Sequence, residues 1–508
     1  MSGSLLVLGT SSGAGKSTIV TGLCRSLRRR GIAVAPFKAQ NMSLNSYVTR
    51  ENGEMGRAQV VQARAAGVEP EVRMNPVLLK PGSDVASQLV VMGQPAGELD
   101  GDRWRAKGDL LELVVEAHDD LRRRFDVVIC EGAGSPAEIN LRSSDIVNLG
   151  FAAAAKVPAI LVGDIDRGGV FATLIGTLAV LEGVDQDLVR GLVINKFRGT
   201  RALLEDGLER LTGMTNRPVL GVLPVLAGRE VDTEDATNFS SWADGPAPLG
   251  EDVLVIGVVA FPRASNLTDL DPLIDEPGVV VRALYRPEAM ADCDLVILPG
   301  TRATVSDLGW LRARGFDVAL ARRAASGASI MGICGGYQML GREIVDEVES
   351  ARGRVDGLGL LAVRTEFAAR KLLARPSARL ADGTTVTGYQ IHHGVVTRES
   401  GEPLVGDEGC VAGAVSGTTW HGLFENDRWR RGFIAELARA SAKRFVVSPV
   451  TCFEDRREAR IEALADLVDQ HLEVDALLAL VDGGVTGRPP ARVRLVRDWP
   501  QSSPSERQ

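Results

Sequence analysis

Paired cysteines, long apolar runs and an excess of positive charge are all missing from this chain. Its six cysteines (Cys24, Cys130, Cys293, Cys334, Cys410 and Cys452) are scattered, with no C-x-x-C pair and no metal-ligand spacing. They read as reduced thiols in a cytoplasm, not as a disulfide framework. No apolar run approaches the roughly 20 residues that a bilayer requires, since Lys156 interrupts the longest candidate, so no membrane insertion is expected. Met1 to Leu8 has no charged leader region and reads as a first strand, not a signal peptide. The formal net charge of -8 argues against a nucleic-acid-binding surface. Histidine is scarce as well: His118, His392, His393, His421 and His471 are all there are.

What is present is enough chain for two or three domains: 508 residues, 45% hydrophobic and 24% charged. Short β-rich runs alternate with amphipathic helical stretches, the pattern of α/β parallel sheets covered by helices on both faces. In the first half the expected strands are Leu5 to Leu8, Ala33 to Phe37, Val127 to Cys130, Ala159 to Val162, Gly191 to Ile194 and Val219 to Val222. A Pro/Gly/Ala-rich stretch follows, and a second series opens at Val253 to Ala260 and runs through Leu295 to Leu298 and Ile330 to Ile333. The expected division is 1–240, a linker at 241–250, a second domain at 251–450, and a C-terminal helix with a frayed tail at 451–508. There is no internal repeat.

Two constellations carry chemistry. The first is Gly9-Thr10-Ser11-Ser12-Gly13-Ala14-Gly15-Lys16-Ser17, between a buried strand and a helix. Gly13 and Gly15 let backbone N–H groups close around phosphate oxygens, Lys16 neutralises the β/γ-phosphates, and Ser17 offers a hydroxyl to Mg²⁺. The first glycine of the strict pattern would fall at Thr10, one residue after Gly9. Glu131, at a hydrophobic strand end, is a candidate carboxylate toward the metal. Lys38, Gln40, Asn41 and Asn45 crowd polar groups past another strand end, where a polyanion could be gripped. Asp166 and Arg167 add a carboxylate and a guanidinium beside Gly168 and Gly169.

The second is Gly332-Ile333-Cys334-Gly335-Gly336-Tyr337-Gln338, which follows an apolar strand and leads into a helix. This is the layout of a nucleophile elbow: the Cys334 thiol stands at a sharp turn and the N–H of Gly335 points toward an oxyanion. Cys334 needs a base. His118 lies in the first half and His471 in the C-terminal helix, leaving His421 and the His392-His393 pair.

Several segments, in order, resemble the cobyric acid synthase family, glutamine-hydrolysing amidotransferases of cobalamin biosynthesis. They are Pro36 to Ser46, Met74 to Pro81, Glu131 to Leu141, Asp164 to Phe171 and Asn195 to Gly199; with the glutaminase motifs, the resemblance spans about residues 4 to 435. It implies an N-terminal dethiobiotin-synthetase-like P-loop domain and a C-terminal class I glutamine amidotransferase-like domain. Partition-type ATPases of the broader class carry a signature lysine five residues before the invariant one, and that position here is Ser11. By similarity, Lys38 faces the phosphates or an acyl phosphate, Glu131 the Mg²⁺ and Asn195 the adenine of ATP. Thr418 to Phe424 resembles the family's catalytic-histidine segment, which favours His421. Leu298 to Thr301 resembles the loop that supplies the second oxyanion-hole N–H, marking Gly300, and Gln338 looks like the residue that contacts bound glutamine.

Most class I glutaminases have Glu two residues after the catalytic histidine; here that residue is Leu423, so a Cys–His dyad is expected. Two further departures are Gln390, where the family usually has Glu, and Arg302, where Lys is usual. The implied reaction is ATP- and glutamine-dependent amidation of the b, d, e and g carboxylates of a corrinoid substrate, adenosylcobyrinic acid a,c-diamide. Two alternatives are a cobyrinic acid a,c-diamide synthase, which should lack the Lys38 to Ser46 segment as written, and a nucleotide switch or scaffold carrying a dead glutaminase. Intact Cys334 and His421, and Ser11 in place of the signature lysine, stand against the second.

Overall fold

Strands buried on both faces need near-continuous apolar sequence, and Leu5, Leu6, Val7 and Leu8 meet that demand with no exposed surface. The computed structural model of the chain describes residues 2–81, 87–99, 108–226, 245–486 and 491–493. Gly3–Gly9 sits inside a six-stranded, all-parallel sheet with Val34–Phe37, Val127–Glu131, Ala159–Asp164, Val189–Phe197 and Val219–Pro224. All six expected strands are there. A smaller sheet, Gln40–Met42 with Val77–Pro81, Ser87–Val91 and Gln94–Leu99, is inserted after the second strand.

The second half repeats the logic. Leu254–Val259, Val279–Leu284, Leu295–Leu298, Ser329–Ile333 and Val415–Thr418 form a parallel sheet closed by the antiparallel strand Cys410–Ala412. Beside it lies a four-stranded sheet whose longest members are Val363–Ala374 and Gln390–Arg398. Of the expected linker, residues 241–244 lie outside the described residues, as does the expected tail except for 491–493. Among the described residues no helix is long and apolar enough to cross a membrane.

The C-terminal helices Phe453–His471 and Val474–Gly483 do not extend the second half. They return to the first, where Ile461, Leu467, Val468 and Leu477 join Leu23, Leu27 and Val20 of the helix Lys16–Arg29 in one core. An ion-pair ladder flanks that seam: Arg25 meets Glu458 at 2.8 Å and also Glu462, and Arg29 meets Asp466 at 2.7 Å. The helix that begins at the phosphate loop is therefore braced from behind by the end of the chain. The halves also lock together directly. Arg57 pairs with Glu425 at 2.5 Å, Lys371 reaches Glu54 at 2.7 Å, and the Ser46 N–H donates to Asn266 Oδ1 at 2.8 Å.

Candidate active sites

At the phosphate loop, Lys16 opens its helix and is almost wholly buried; its ammonium donates to the carbonyls of Ser11 and Gly134, each at 3.0 Å. Ser17 Oγ donates to Glu131 Oε1 at 2.8 Å, Lys38 Nζ donates to the same oxygen at 2.8 Å, and Gln62 Nε2 donates to Glu131 Oε2 at 2.5 Å. Burial by itself would push Glu131 up, but Lys38, aided by Gln62 and Ser17, overrides it and holds the carboxylate below its usual range. Lys16, Lys38 and Gln40 open onto a cleft of about 1250 Å³, its mouth included, whose far wall runs from Ala133 through Leu141 to Asn148.

Not every residue marked in the sequence reaches that cleft. Asn41 is wholly buried and donates to Gln59 Oε1 at 2.7 Å, so it stands behind the wall and not in it. The reason is the strand Gln40–Met42: successive side chains point to opposite faces. Asp166 and Arg167 lie on the other flank of the phosphate loop. Asp166 pairs with Arg198 at 2.9 Å, and the Arg167 guanidinium lies beside Gly13. Asn195 is buried against the loop itself, donating to the Ala14 carbonyl at 3.0 Å. Gln62 carries no signal in the sequence: a mid-helix Gln belongs to no motif, and only its placement opposite Glu131 singles it out.

The second site is built on strain. Cys334 sits at φ +50°, ψ -110° between the strand Ser329–Ile333 and the helix Gly335–Leu340, a conformation that costs a non-glycine residue about 1–3 kcal/mol. Gly335 opens that helix, so its N–H has no intrahelical acceptor. Across the gap, the Ser265 N–H donates to the Gly300 carbonyl at 2.8 Å, which turns the N–H of the next residue, Thr301, the opposite way. A β-carbon added at Gly335 would lie 3.2 Å from Thr301 N, so these two stretches of backbone are close neighbours beside Cys334. A β-carbon at Gly300 would press on His421 Cε1 at 3.0 Å and on the Ser265 carbonyl oxygen at 3.1 Å, so a side chain there would push on the histidine.

His421 is buried and lines one cavity with Cys334, whose sulfur helps hold a proton on the ring. Its Nδ1–H donates to Asp269 Oδ2 at 2.7 Å, and Asp269 Oδ1 accepts from the Gly422 N–H at 2.8 Å. Because a carboxylate only accepts, Nδ1 carries a proton toward Asp269, and the other ring nitrogen is the one that exchanges a proton with the thiol. Burial would push His421 down, but Asp269 and Cys334 more than reverse it, to about 10. The expected dyad is thus corrected to a Cys334–His421–Asp269 line. Asp269 comes from the turn Leu267–Leu270, where no spacing rule tied to His421 would look for it.

The surrounding cavity, about 440 Å³ with its mouth, is lined by Gln338, Arg302, Glu349, His392, His393 and, from the first half of the chain, Lys80. Gln338 is held by Thr304 Oγ1 at 3.3 Å. His392 and His393 are both driven down by burial, His392 to about 4, and His393 Nδ1 lies 3.0 Å from the Ala368 carbonyl. Gln390 donates to Thr419 Oγ1 at 2.7 Å, and Arg302 pairs with Glu349 at 2.8 Å.

The chain's relatives fit this two-site geometry. The family model for the CobQ/CobB/MinD/ParA nucleotide binding domain matches residues 5–230, and that for the CobB/CobQ-like glutamine amidotransferase domain matches residues 255–429. The cobyric acid synthase of Streptomyces avermitilis is 53% identical over 494 residues, covering 95% of this chain and 97% of its own. That of Frankia casuarinae is 54% identical over 509 residues, with 95% and 98% covered. That of Streptomyces coelicolor is 52% identical over 491 residues, with 95% and 97% covered. The chain belongs to the cobyric acid synthase family, a glutamine amidotransferase joined to a nucleotide-binding domain in one polypeptide.

Proposed function

We propose that this chain uses ATP and glutamine to amidate the b, d, e and g carboxylates of adenosylcobyrinic acid a,c-diamide, giving adenosylcobyric acid in the cytoplasm. The observation that carries this reading is the Cys334–His421 pair in a cavity whose wall includes Lys80 of the nucleotide-binding half. Glutamine hydrolysis is assigned to residues within 251–450. Cys334 attacks the side-chain amide carbon, the oxyanion is met by the N–H groups of Gly335 and the Gly300–Thr301 peptide, and His421 passes the thiol proton to the departing ammonia. Water then hydrolyses the thioester to glutamate. Gln338 orients the substrate, and the Arg302–Glu349 pair suits an α-carboxylate and an α-ammonium.

Carboxylate activation is assigned to residues within 1–240. Gly13, Gly15 and Lys16 cradle the ATP phosphates, the corrinoid carboxylate takes the γ-phosphoryl group, and ammonia displaces phosphate to give the amide. Lys38 faces the acyl phosphate and Gln40 the substrate. Ser17 Oγ and Glu131 Oε1 stand 2.8 Å apart, close to the about 2.9 Å between neighbouring oxygens of an octahedral Mg²⁺ site with bonds of about 2.0–2.1 Å. The ion, when bound there, neutralises phosphate charge. Asn195, buried at the phosphate loop, and Arg167, beside Gly13, fit the nucleotide better than the corrinoid; Asp166 holds Arg198. Exposed Met42 and Leu141 on the cleft's rim suit the apolar edge of a macrocycle.

The test is Cys334→Ser. It should lose glutamine-dependent amidation, because a serine hydroxyl is far less acidic than a thiol and supplies too little nucleophile in a site shaped for sulfur, and keep amidation when ammonium salt at alkaline pH supplies NH₃. Retained glutamine use by the serine variant refutes the assignment.

A further inference from the structure

Between the Cys334 cavity and the phosphate cleft lies a row of buried amide side chains, Asn41, Gln59 and Gln62, of which only Gln62 touches a residue of either site. At the cavity end, Lys80 donates to Ser46 Oγ at 3.0 Å and to Glu54 at 2.6 Å, and Ser46 is also bound to Asn266 of the cavity wall. Ser46 pairs with Gly56 in a two-stranded ribbon, and Gly56 leads into the helix Arg57–Ala66. A β-carbon at Gly56 would lie 2.4 Å from Asn41 Nδ2 and 2.7 Å from Gln59 Oε1, so both amides sit directly against this bare backbone, which ties the row to the ribbon. At the cleft end, Gln62, on the same helix, holds Glu131, which in turn holds Lys38.

The row is wholly buried but incompletely paired. Asn41 Oδ1, Gln59 Nε2 and Gln62 Oε1 have no hydrogen-bond partner among the described residues. A folded chain keeps such atoms at a cost, and each calls for an explanation. Two orphan acceptors and one orphan donor in sequence match a small molecule that has N–H groups to give and a lone pair to receive. Ammonia is such a molecule. The ammonium groups of Lys80 and Lys371, both held by Glu54 at the cavity end, repel NH₄⁺ and leave neutral NH₃, the nucleophilic form, to enter.

We propose that the amides of Asn41, Gln59 and Gln62 form the route by which ammonia passes from the Cys334 cavity to the phosphate cleft. This rests on the amidotransferase reading above. Gln59 touches neither site, so it is the residue to change: Gln59→Met keeps the length and removes both polar atoms, and Gln59→Phe obstructs the passage. Three rates are measured on the full chain: glutamate released, amide formed from glutamine, and amide formed from ammonium salt. In both variants glutamate release and ammonia-supported amidation should stay within about three-fold of the parent, while amide formed per glutamine hydrolysed falls at least about five-fold. An unchanged ratio in both variants overturns the route. Loss of ammonia-supported amidation in both also overturns it, since Gln59 would then serve the fold or the phosphate site. A parent chain that hydrolyses no glutamine, or makes no amide from ammonia, defeats the amidotransferase reading instead.

Discussion

Asp269→Asn isolates what the carboxylate does for His421 with almost no change in shape. In the parent, Oδ2 accepts from Nδ1–H at 2.7 Å and Oδ1 from the Gly422 N–H at 2.8 Å. The asparagine oxygen can keep one of these bonds. If it stays on Gly422, the new NH₂ faces Nδ1 and forces the ring proton to the nitrogen that should receive the Cys334 proton. Glutaminase kcat should therefore fall by about 10² to 10⁴, or about 3–5 kcal/mol of barrier, with KM for glutamine little changed.

The pH behaviour carries an independent sign. His421 is raised to about 10, above its ordinary 6.5, so the folded chain holds its proton more tightly than the unfolded chain. The resulting stabilisation is complete below about pH 6.5 and is lost as pH rises through about 10. Removing the Asp269 charge should shift the alkaline limb of glutaminase activity to lower pH, and the variant's stability deficit should shrink at high pH. Glutamate release measured across pH, with ammonia-supported amidation as the check on folding, decides it. A kcat within about three-fold of the parent and an unmoved alkaline limb would refute the positioning role.

Two further outcomes are expected. Lys16→Ala should depress amidation by about 10² or more with either glutamine or ammonia, because it removes charge from the phosphoryl site both nitrogen sources share; near-normal ammonia-dependent turnover would remove the loop from the chemistry. Gly22→Ala should destabilise the first half by about 1–3 kcal/mol. Its β-carbon would lie 2.5 Å from the Leu464 carbonyl oxygen and 2.6 Å from Val468 Cγ2 on the returning C-terminal helix. An unchanged thermal midpoint would mean that this helix is not seated as described.

Features that depend on neighbours along the chain are legible without the fold. Apolar runs such as Leu5 to Leu8 and Ile330 to Ile333 could be read as buried strands because backbone pairing imposes its own period, and the small residues beside Lys16 and Cys334 marked the turns that follow them. Even the split between Gln40 and Asn41 is latent there, since adjacent strand residues face opposite ways; it became readable only once Gln40–Met42 was known to be a strand. The remaining features come from long-range packing. Asp269 meets His421 across 152 positions, from the turn Leu267–Leu270, while the position that spacing would search holds the buried Leu423. Glu458 meets Arg25 across 433 positions because the last helices close the core of the first domain, not the second. Lys80 enters the Cys334 cavity because the two halves pack directly against each other there. Periodicity and propensity act over a few residues, whereas the partner of a buried charge is set by which distant surfaces pack together, and no local pattern encodes that choice.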